Sequence, residues 1–350
     1  MNKQIALIGD THFGIYKSSQ IFLDSQLRFF RECLIPHCKM NGISTIVHAG
    51  DFFDNRNNIN IKVLNEVHKL LTEDLKDFEL YILVGNHDTF FKSSIETHSL
   101  KLIGEMPNIN VIDNIQLHNN NEFRRSILFV PWQTDHERFK KKVADQNIHC
   151  DICIGHFETA GFFLNSAKVC EEGLSPELFF NNYTLTMSGH FHRRSNKKYN
   201  DSIIQYFGNP YHLTRHDIDS DRGFCVLDLE TLEYHFVNND ISIRFERLYY
   251  PEDFDVNKIR GNIVDIHVNI NEDYDEKEFQ DYLSTVESYR PAFPANVKIE
   301  NNFSMSTSGD YKVQTVPELI NEYVGDLDIK YKKEITQKII DLYNECKSNI

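Results

Sequence analysis

The sequence predicts an α/β layered fold with a second sheet, a small α/β cap and a helical C-terminal tail. Three observations carry that expectation. Short apolar runs closed by glycine alternate with helical stretches up to residue 189. Residues 200–248 switch to closely spaced strand-like segments. Beyond residue 250 the pattern changes again, and a polar, turn-rich stretch sets two amphipathic segments apart from the rest.

Taken in order, IALIG (5–9), TIVHAG (45–50), LYILVG (80–85), DICIG (151–155) and TLTMSG (184–189) read as buried strands, rich in β-branched and aliphatic residues. Helices are expected near 19–40, 60–76, 93–105 and 134–147, with Gly42 as the residue just past the end of the first. IIQYFG, GFCVLDLE, LEYHFV and SIRFERL read as short strands that close a second sheet. Residues 1–248 are thus expected to form the main domain and 249–300 a small α/β cap. Residues 301–314 form a polar linker and 315–350 a helical segment. TVPE at 315–318 has a capping-box pattern, and Gly325 is expected to end the helix it opens. A second helix near 329–347 carries Tyr331, Ile335, Ile339, Leu342 and Cys346 on one face. Two such helices cannot bury themselves alone, so they dock on the body or bind a partner.

The formal net charge of −15 argues against a passive, basic nucleic-acid coat. It does not exclude an enzyme of phosphodiesters, because divalent cations add positive charge where the phosphate must sit. Seven cysteines form no disulfide framework. The pair Cys150 and Cys153 sits in an alternating apolar stretch with no second CxxC, which reads as structural thiols in a reducing compartment. The chain opens without a charged-then-apolar signal and has no apolar run of about 20 residues, so a soluble cytoplasmic protein is expected.

Chemistry concentrates behind the glycine-ended strands. IALIG is followed by Asp10 and His12, TIVHAG by Asp51, and LYILVG by Asn86, His87 and Asp88. DICIG is followed by His156, and TLTMSG by His190 and His192. A lone DxH or HxH is a weak signal, but ligand-type residues in register at the carboxyl ends of separate strands point to one site. Carboxylates, an amide and imidazoles without thiolates suit Mn²⁺, Fe or Zn²⁺ better than Ca²⁺ or Mg²⁺. The seven candidates Asp10, His12, Asp51, Asn86, His156, His190 and His192 exceed what one ion needs and fit two ions about 3.5–4 Å apart.

The motifs DTH, GD, GNHD, GH and GHFH, in that order, resemble the calcineurin-like metallophosphoesterase superfamily. Within it the chain is similar to the SbcD-type double-strand-break repair nucleases, in particular their bacteriophage branch. GDFFD (50–54), GHFE (155–158), FGNP (207–210) and DRGF (221–224) support that branch. The resemblance implies a four-layer α/β/β/α sandwich. One metal would take Asp10, His12, Asp51 and His192, and the other Asp51, Asn86, His156 and His190, with Asp51 bridging. A water activated there would attack phosphorus in line, His87 would protonate the leaving oxygen, and Asp88 would orient His87. Archaeal and eukaryotic relatives carry a histidine where this chain has Asp54, a departure shared with the bacterial and phage-like branch. The activity implied is an Mn²⁺-dependent 3′→5′ exonuclease and single-strand endonuclease. It would work as a dimer with an SMC-like, SbcC-type ATPase docked on the helices at 315–347, in the host cytoplasm if phage-encoded.

Basic residues near the motifs are candidates for DNA phosphate contacts: Arg56, Arg193, Arg194, Lys197, Lys198 and Arg215. The bland alternative is a set of solvated turns. Arg138, Lys140, Lys141 and Lys142 read as a solvated helix face, His48 as a core histidine, and Trp132 and Phe191 as packing residues. Two rivals differ in class. A phosphatase or nucleotide phosphodiesterase of the same superfamily would release phosphate from small monoesters, although the protein-phosphatase continuation DRG after GD is absent here. A scaffold that had lost metal binding would lack ligands, which this chain retains.

Overall fold

The computed structural model describes residues 3–118, 125–143, 150–163, 168–270, 274–301, 316–326 and 331–348. In chain order the strands are β1 (Gln4–Ile8), β2 (Thr45–His48), β3 (Glu79–Leu83), β4 (Thr89–Phe91), β5 (Ser94–His98) and β6 (Ile109–Ile112). Then follow β7 (Gln116–His118), β8 (Ile127–Val130), β9 (Ile152–His156), β10 (Leu185–Gly189), β11 (Ser195–Tyr199) and β12 (Ser202–Tyr206). The last are β13 (Gly223–Asp228), β14 (Tyr234–Asn238), β15 (Phe245–Tyr250), β16 (Ile263–Ile270) and β17 (Asn296–Asn301).

Two six-stranded sheets form the centre, in the orders β14-β13-β1-β2-β3-β6 and β11-β12-β10-β9-β8-β7. β1, β2, β3 and β6 are parallel, as are β8, β9, β10 and β12, while β13, β14, β7 and β11 run antiparallel to their neighbours. Alternation along each strand sorts the side chains into layers. Ile5, Leu7, Val47, Tyr81, Leu83, Ile127, Phe129, Ile152, Ile154, Leu185 and Met187 share one buried cluster between the sheets. Ala6, Ile8, Ile46, Leu80 and Ile82 face the other way, onto Leu27, Phe30, Leu34, Val63 and Val67 of the covering helices. Leu128, Val130 and Cys153 do the same on the far side, against Phe139 and Phe179. The result is the expected α/β/β/α sandwich.

The helix Gln20–Arg28 continues through a π-helical stretch, Phe29–Leu34, into Ile35–Met40. Gly42, at φ 65°, ends it as expected, and the Ile43 N–H returns to the Cys38 carbonyl at 2.9 Å. Asn60 caps Ile61–Lys69 by accepting from the Lys62 N–H. Residues 93–105 are not the expected helix. They hold β5 of a small hairpin and a 3₁₀ turn, Ser99–Leu102. The expected helix at 134–147 is His136–Val143, and residues 144–147 lie outside the described residues.

The strands after residue 200 do not all close the second sheet. β13 pairs with β1 and β14 with β13, extending the first sheet to its edge, and β15 opens a separate parallel sheet, β15-β16-β17. Leu248, Val264, Ile266 and Val268 of that sheet pack on Phe279 and Val286 of the helix Glu276–Ser288, capped by Asp275. Residues 1–301 form one compact unit and 302–350 another. In the second, helices Val316–Asp326 and Lys332–Ser348 contact each other and bury Val324. The first helix runs past Gly325 to Asp326, and the linker and Thr315 lie outside the described residues. Among the described residues, no helix is long and apolar enough to cross a membrane.

Candidate metal centre

The carboxyl ends of β1, β2 and β3 lie side by side in one sheet, and those of β9 and β10 side by side in the other. Beyond each end the backbone turns sharply. His12, Asp51 and His190 have φ of 46°, 55° and 83°, a left-handed conformation that non-glycine residues adopt only when their surroundings enforce it. The enforcing contacts run between the loops. The His190 N–H donates to both oxygens of Asp10 at 3.0 and 3.1 Å, and the His87 N–H to Asp51 Oδ1 at 2.8 Å. Glycine is needed at 50 and 85 for close approach. A Cβ at Gly50 would collide with the His156 ring, and one at Gly85 with the amide and carboxylate of Asp51.

These turns bring all seven candidate ligands together. Asp10, His12 and His192 offer ligand atoms within 4.8 Å of one another, and so do Asp51, His156 and His190. Asp51 lies between the groups, with Oδ2 at 3.9 Å from His12 Nε2 and 3.4 Å from His156 Nε2. Asn86 Oδ1 is 2.9 Å from His156 Nε2 and 3.0 Å from His190 Nδ1. His12 Nε2 faces His192 Nε2 at 3.2 Å. As hydrogen bonds alone, these contacts need one of the facing nitrogens of His12 and His192 to lack a proton, and His156 to be doubly protonated, because its Nδ1 already bonds the Ala49 carbonyl. They fit shared cations, because donors on one ion with bonds of about 2.1 Å sit about 3 Å apart. His156 Nδ1 donates to the Ala49 carbonyl at 2.6 Å, which leaves its Nε2 lone pair for a metal. The residues therefore fit two divalent ions.

Charge balance points the same way. Burial pulls His156 down, but Asp51, with Asp10 behind it, outweighs burial and pushes it up to about 9. His12 is likewise raised against burial by Asp54, Asp51 and Asp10. Asp51 is held well below the usual carboxylate range despite burial, chiefly by His156. Burial and then His156 drive His190 down to about 3, and burial and His12 drive His192 far down. Without a cation the buried carboxylates recruit protons onto histidines, and divalent ions would displace those protons.

Asp88 differs from its expected role. Its carboxylate accepts from the N–H groups of Phe52, Phe53 and Gly85 at 2.9 to 3.2 Å, and none of these bonds goes to His87. Burial, with Asp51 nearby, pushes Asp88 up to about 7, against the pull of those N–H groups. It ties the loop after β2 to the loop after β3. His87 is oriented instead by Asp54, whose carbonyl accepts from His87 Nδ1 at 2.7 Å. Asp54 Oδ1 also stands 3.4 Å from His12 Nδ1. The position that departs from the histidine of other branches thus supports two site histidines.

The basic candidates divide. Arg56 Nη2 donates to the Asn86 carbonyl at 3.0 Å, beside the centre. Arg193 and Lys198 are exposed, the former over the Phe163 ring, and Lys197 lies over Phe162. Arg194 is bonded to Asn238 Oδ1 and stacked on Phe236, and burial lowers it to about 10. Arg215 pairs with the buried Asp265 at 2.8 Å, so its charge joins the cap to the main body. Residues missed in the sequence include Arg222, which donates to the His192 carbonyl and to Asp217. Trp132, read from the sequence as a packing residue, lies with its ring 5.2 Å from that of His190. His48 is buried as expected, with Nε2 bonded to Thr11.

The sequence profile described as calcineurin-like phosphoesterase matches residues 3–194. The chain belongs to that family. This phosphoesterase is 26% identical over 356 aligned residues to Exonuclease subunit 1 of Enterobacteria phage T4, covering 98% of this chain and 99% of that one. It is 22% identical over 239 residues to Putative phosphoesterase 078R of Invertebrate iridescent virus 3, covering 67% of this chain and 65% of that one. Among solved structures it is similar to GAP50, the anchor in the inner membrane complex of Plasmodium, with TM-score 0.40, 15% identity and coverage of 69% and 89%. A dimetal phosphatase from Danio rerio gives TM-score 0.38, 10% identity and coverage of 65% and 92%.

Proposed function

We propose that this phosphoesterase is an Mn²⁺-dependent DNA nuclease, a 3′→5′ exonuclease and single-strand endonuclease. In this reading it is the nuclease subunit of a repair and recombination complex with an SMC-like ATPase. The observation that carries the reading is the likeness to Exonuclease subunit 1 along essentially the whole of both chains, combined with two ligand groups that converge at the carboxyl ends of strands from both sheets.

Asp10, His12, Asp51 and His192 would hold one ion, and Asp51, Asn86, His156 and His190 the other. Such ions supply positive charge and an activated water at neutral pH. The chain's own residues do the rest. The Asp54 carbonyl fixes His87 Nδ1 as a donor, so Nε2 is the atom that exchanges a proton with the leaving oxygen. Asp88 holds the two loops that carry Asp51 and His87 at a fixed spacing. Arg56, Arg193, Lys197 and Lys198 would contact strand phosphates, and the cap would guide the DNA. The helices Val316–Asp326 and Lys332–Ser348, which expose Tyr323 and Leu342, would dock the ATPase in a dimeric assembly.

Cleavage of a labelled duplex with Mn²⁺ tests this, using wild type, Asp51→Ala and His87→Ala, with bound metal measured alongside. Loss of cutting in both variants, with metal kept in His87→Ala, is expected. Hydrolysis of small monoesters without any DNA cleavage would move the assignment to a phosphatase of the same family.

A further inference from the structure

The loop that carries Asn86, His87 and Asp88 runs straight into β4 and β5, a hairpin that joins no other sheet. Its pairing shifts register between Thr89 and Phe91, and this irregularity brings the neighbouring rings of Phe90 and Phe91 together, 4.8 Å apart and nearly perpendicular. Both are half exposed, at 47% and 50%. A regular strand would send two successive side chains to opposite faces. The hairpin's base is tied down. Thr89 Oγ1 and Arg56 Nη2 both donate to the Asn86 carbonyl at 3.0 Å, and the Ser99 N–H donates to the Asp88 carbonyl at 2.9 Å. Lys92 stands exposed at the turn.

We propose that Phe90 and Phe91 form a stacking platform for an unpaired nucleobase next to the phosphodiester at the metal centre. The inference rests on the nucleic-acid reading above and extends it. Three or four residues from His87, the rings lie within about 10–14 Å of chain contour, the span of a few nucleotides at about 3.4 Å each. Aromatic faces beside cationic groups accept any base, because every base presents a π-face. Lys92, exposed at the hairpin turn directly after Phe91, supplies a cation next to the pair, and Arg56 supplies another at the hairpin's base, on the Asn86 carbonyl. A platform anchored to the loop of His87 would hold a single strand or a frayed end in register with the attack.

The test compares wild type, Phe90→Ala/Phe91→Ala and Phe90→Trp/Phe91→Trp as full chains. Fluorescence anisotropy measures binding of a short phosphorothioate-linked single strand, which resists hydrolysis, and of the same strand made abasic. Hydrolysis of bis(4-nitrophenyl) phosphate reports the metal centre independently. The alanine variant is expected to weaken binding of the base-bearing strand by about tenfold or more. It should bind the abasic strand like wild type and keep the small-diester activity, while the tryptophan variant binds as wild type does. Unchanged binding of the base-bearing strand by the alanine variant would overturn the platform alone, and so would equal weakening on both strands. A change of oligomeric state in the alanine variant, with DNA binding intact, would make the rings a protein contact instead. A wild type that hydrolyses the small diester but binds no strand would overturn the nucleic-acid reading itself, and the platform with it.

Discussion

Asp88→Asn separates two accounts of the same residue. If Asp88 acts through His87, the substitution should alter proton transfer and little else. The hydrogen bonds say otherwise. The carboxylate receives N–H groups from Phe52, Phe53 and Gly85 with both oxygens, and it is buried. An amide keeps one oxygen and turns an NH₂ towards N–H groups that it cannot accept. Each buried donor left unpaired costs about 1–3 kcal/mol, so one or two such losses cost about 2–4 kcal/mol. At this chain size that lowers Tm by about 3–6 °C. The loop bearing Asp51 loses its tie to the loop bearing Asn86 and His87, and metal affinity should fall about 10–100-fold. The assays are thermal unfolding and Mn²⁺ titration calorimetry at pH 8, where wild-type Asp88, pushed up to about 7, is mostly ionised. A variant with unchanged Tm and Mn²⁺ affinity, but with a lowered kcat and a shifted pH profile, would refute the loop-tie account and restore the His87-orienting role.

Gly85→Ala should be as damaging by another route. Its Cβ collides with the Asp51 amide and carboxylate, which must move by about 1 Å, and a displacement of that size typically costs about 100-fold in activity. Small-diester hydrolysis measures it, and activity within twofold of wild type would contradict the packing. Asp265 gives a pH prediction. Burial raises its carboxyl, but Arg215, Lys298 and Asn296 outweigh burial and hold it down to about 2. Its contribution is present above the unfolded value near 3.8 and is lost as pH falls towards 2. Because Arg215 and Lys298 are themselves partly exposed, about 1 kcal/mol is expected after screening. Asp265→Asn should lower stability by that amount at pH 7 and flatten its decline between pH 4 and 2. If an ATPase docks on the C-terminal helices as proposed, deletion of residues 310–350 should abolish that association and leave metal-dependent hydrolysis of a small diester intact, as pull-down and turnover would report.

The site was legible because its chemistry is written locally. Each ligand group directly follows a glycine-ended strand, and the glycines at 50 and 85 are where the loops touch. Continuous apolar runs located the central strands, since each is buried on both faces. What the sequence hid depends on partners far away in the chain. GFCVLDLE and LEYHFV were recognisable as strands, but only pairing with β1 assigns them to the first sheet. The short strands β6, β7 and β8 lack the closing glycine that marked the others, since Asp113, Asn119 and Pro131 follow them in the sequence. Arg215 looks like a phosphate contact until Asp265, fifty residues on, is seen to neutralise it.

Asp54 joins these threads. As a letter in the sequence it marks a missing histidine and nothing more. In the folded chain its backbone carbonyl orients His87, and its carboxylate stands beside His12. His12, Asp54 and His87 also gather their ligand atoms within 4.8 Å, a grouping that the motif order does not suggest. The first role survives any side chain, because a carbonyl is present whatever residue occupies the position. The second requires the carboxylate. A substitution at 54 that keeps the loop should therefore preserve the orientation of His87 and change the basicity of His12.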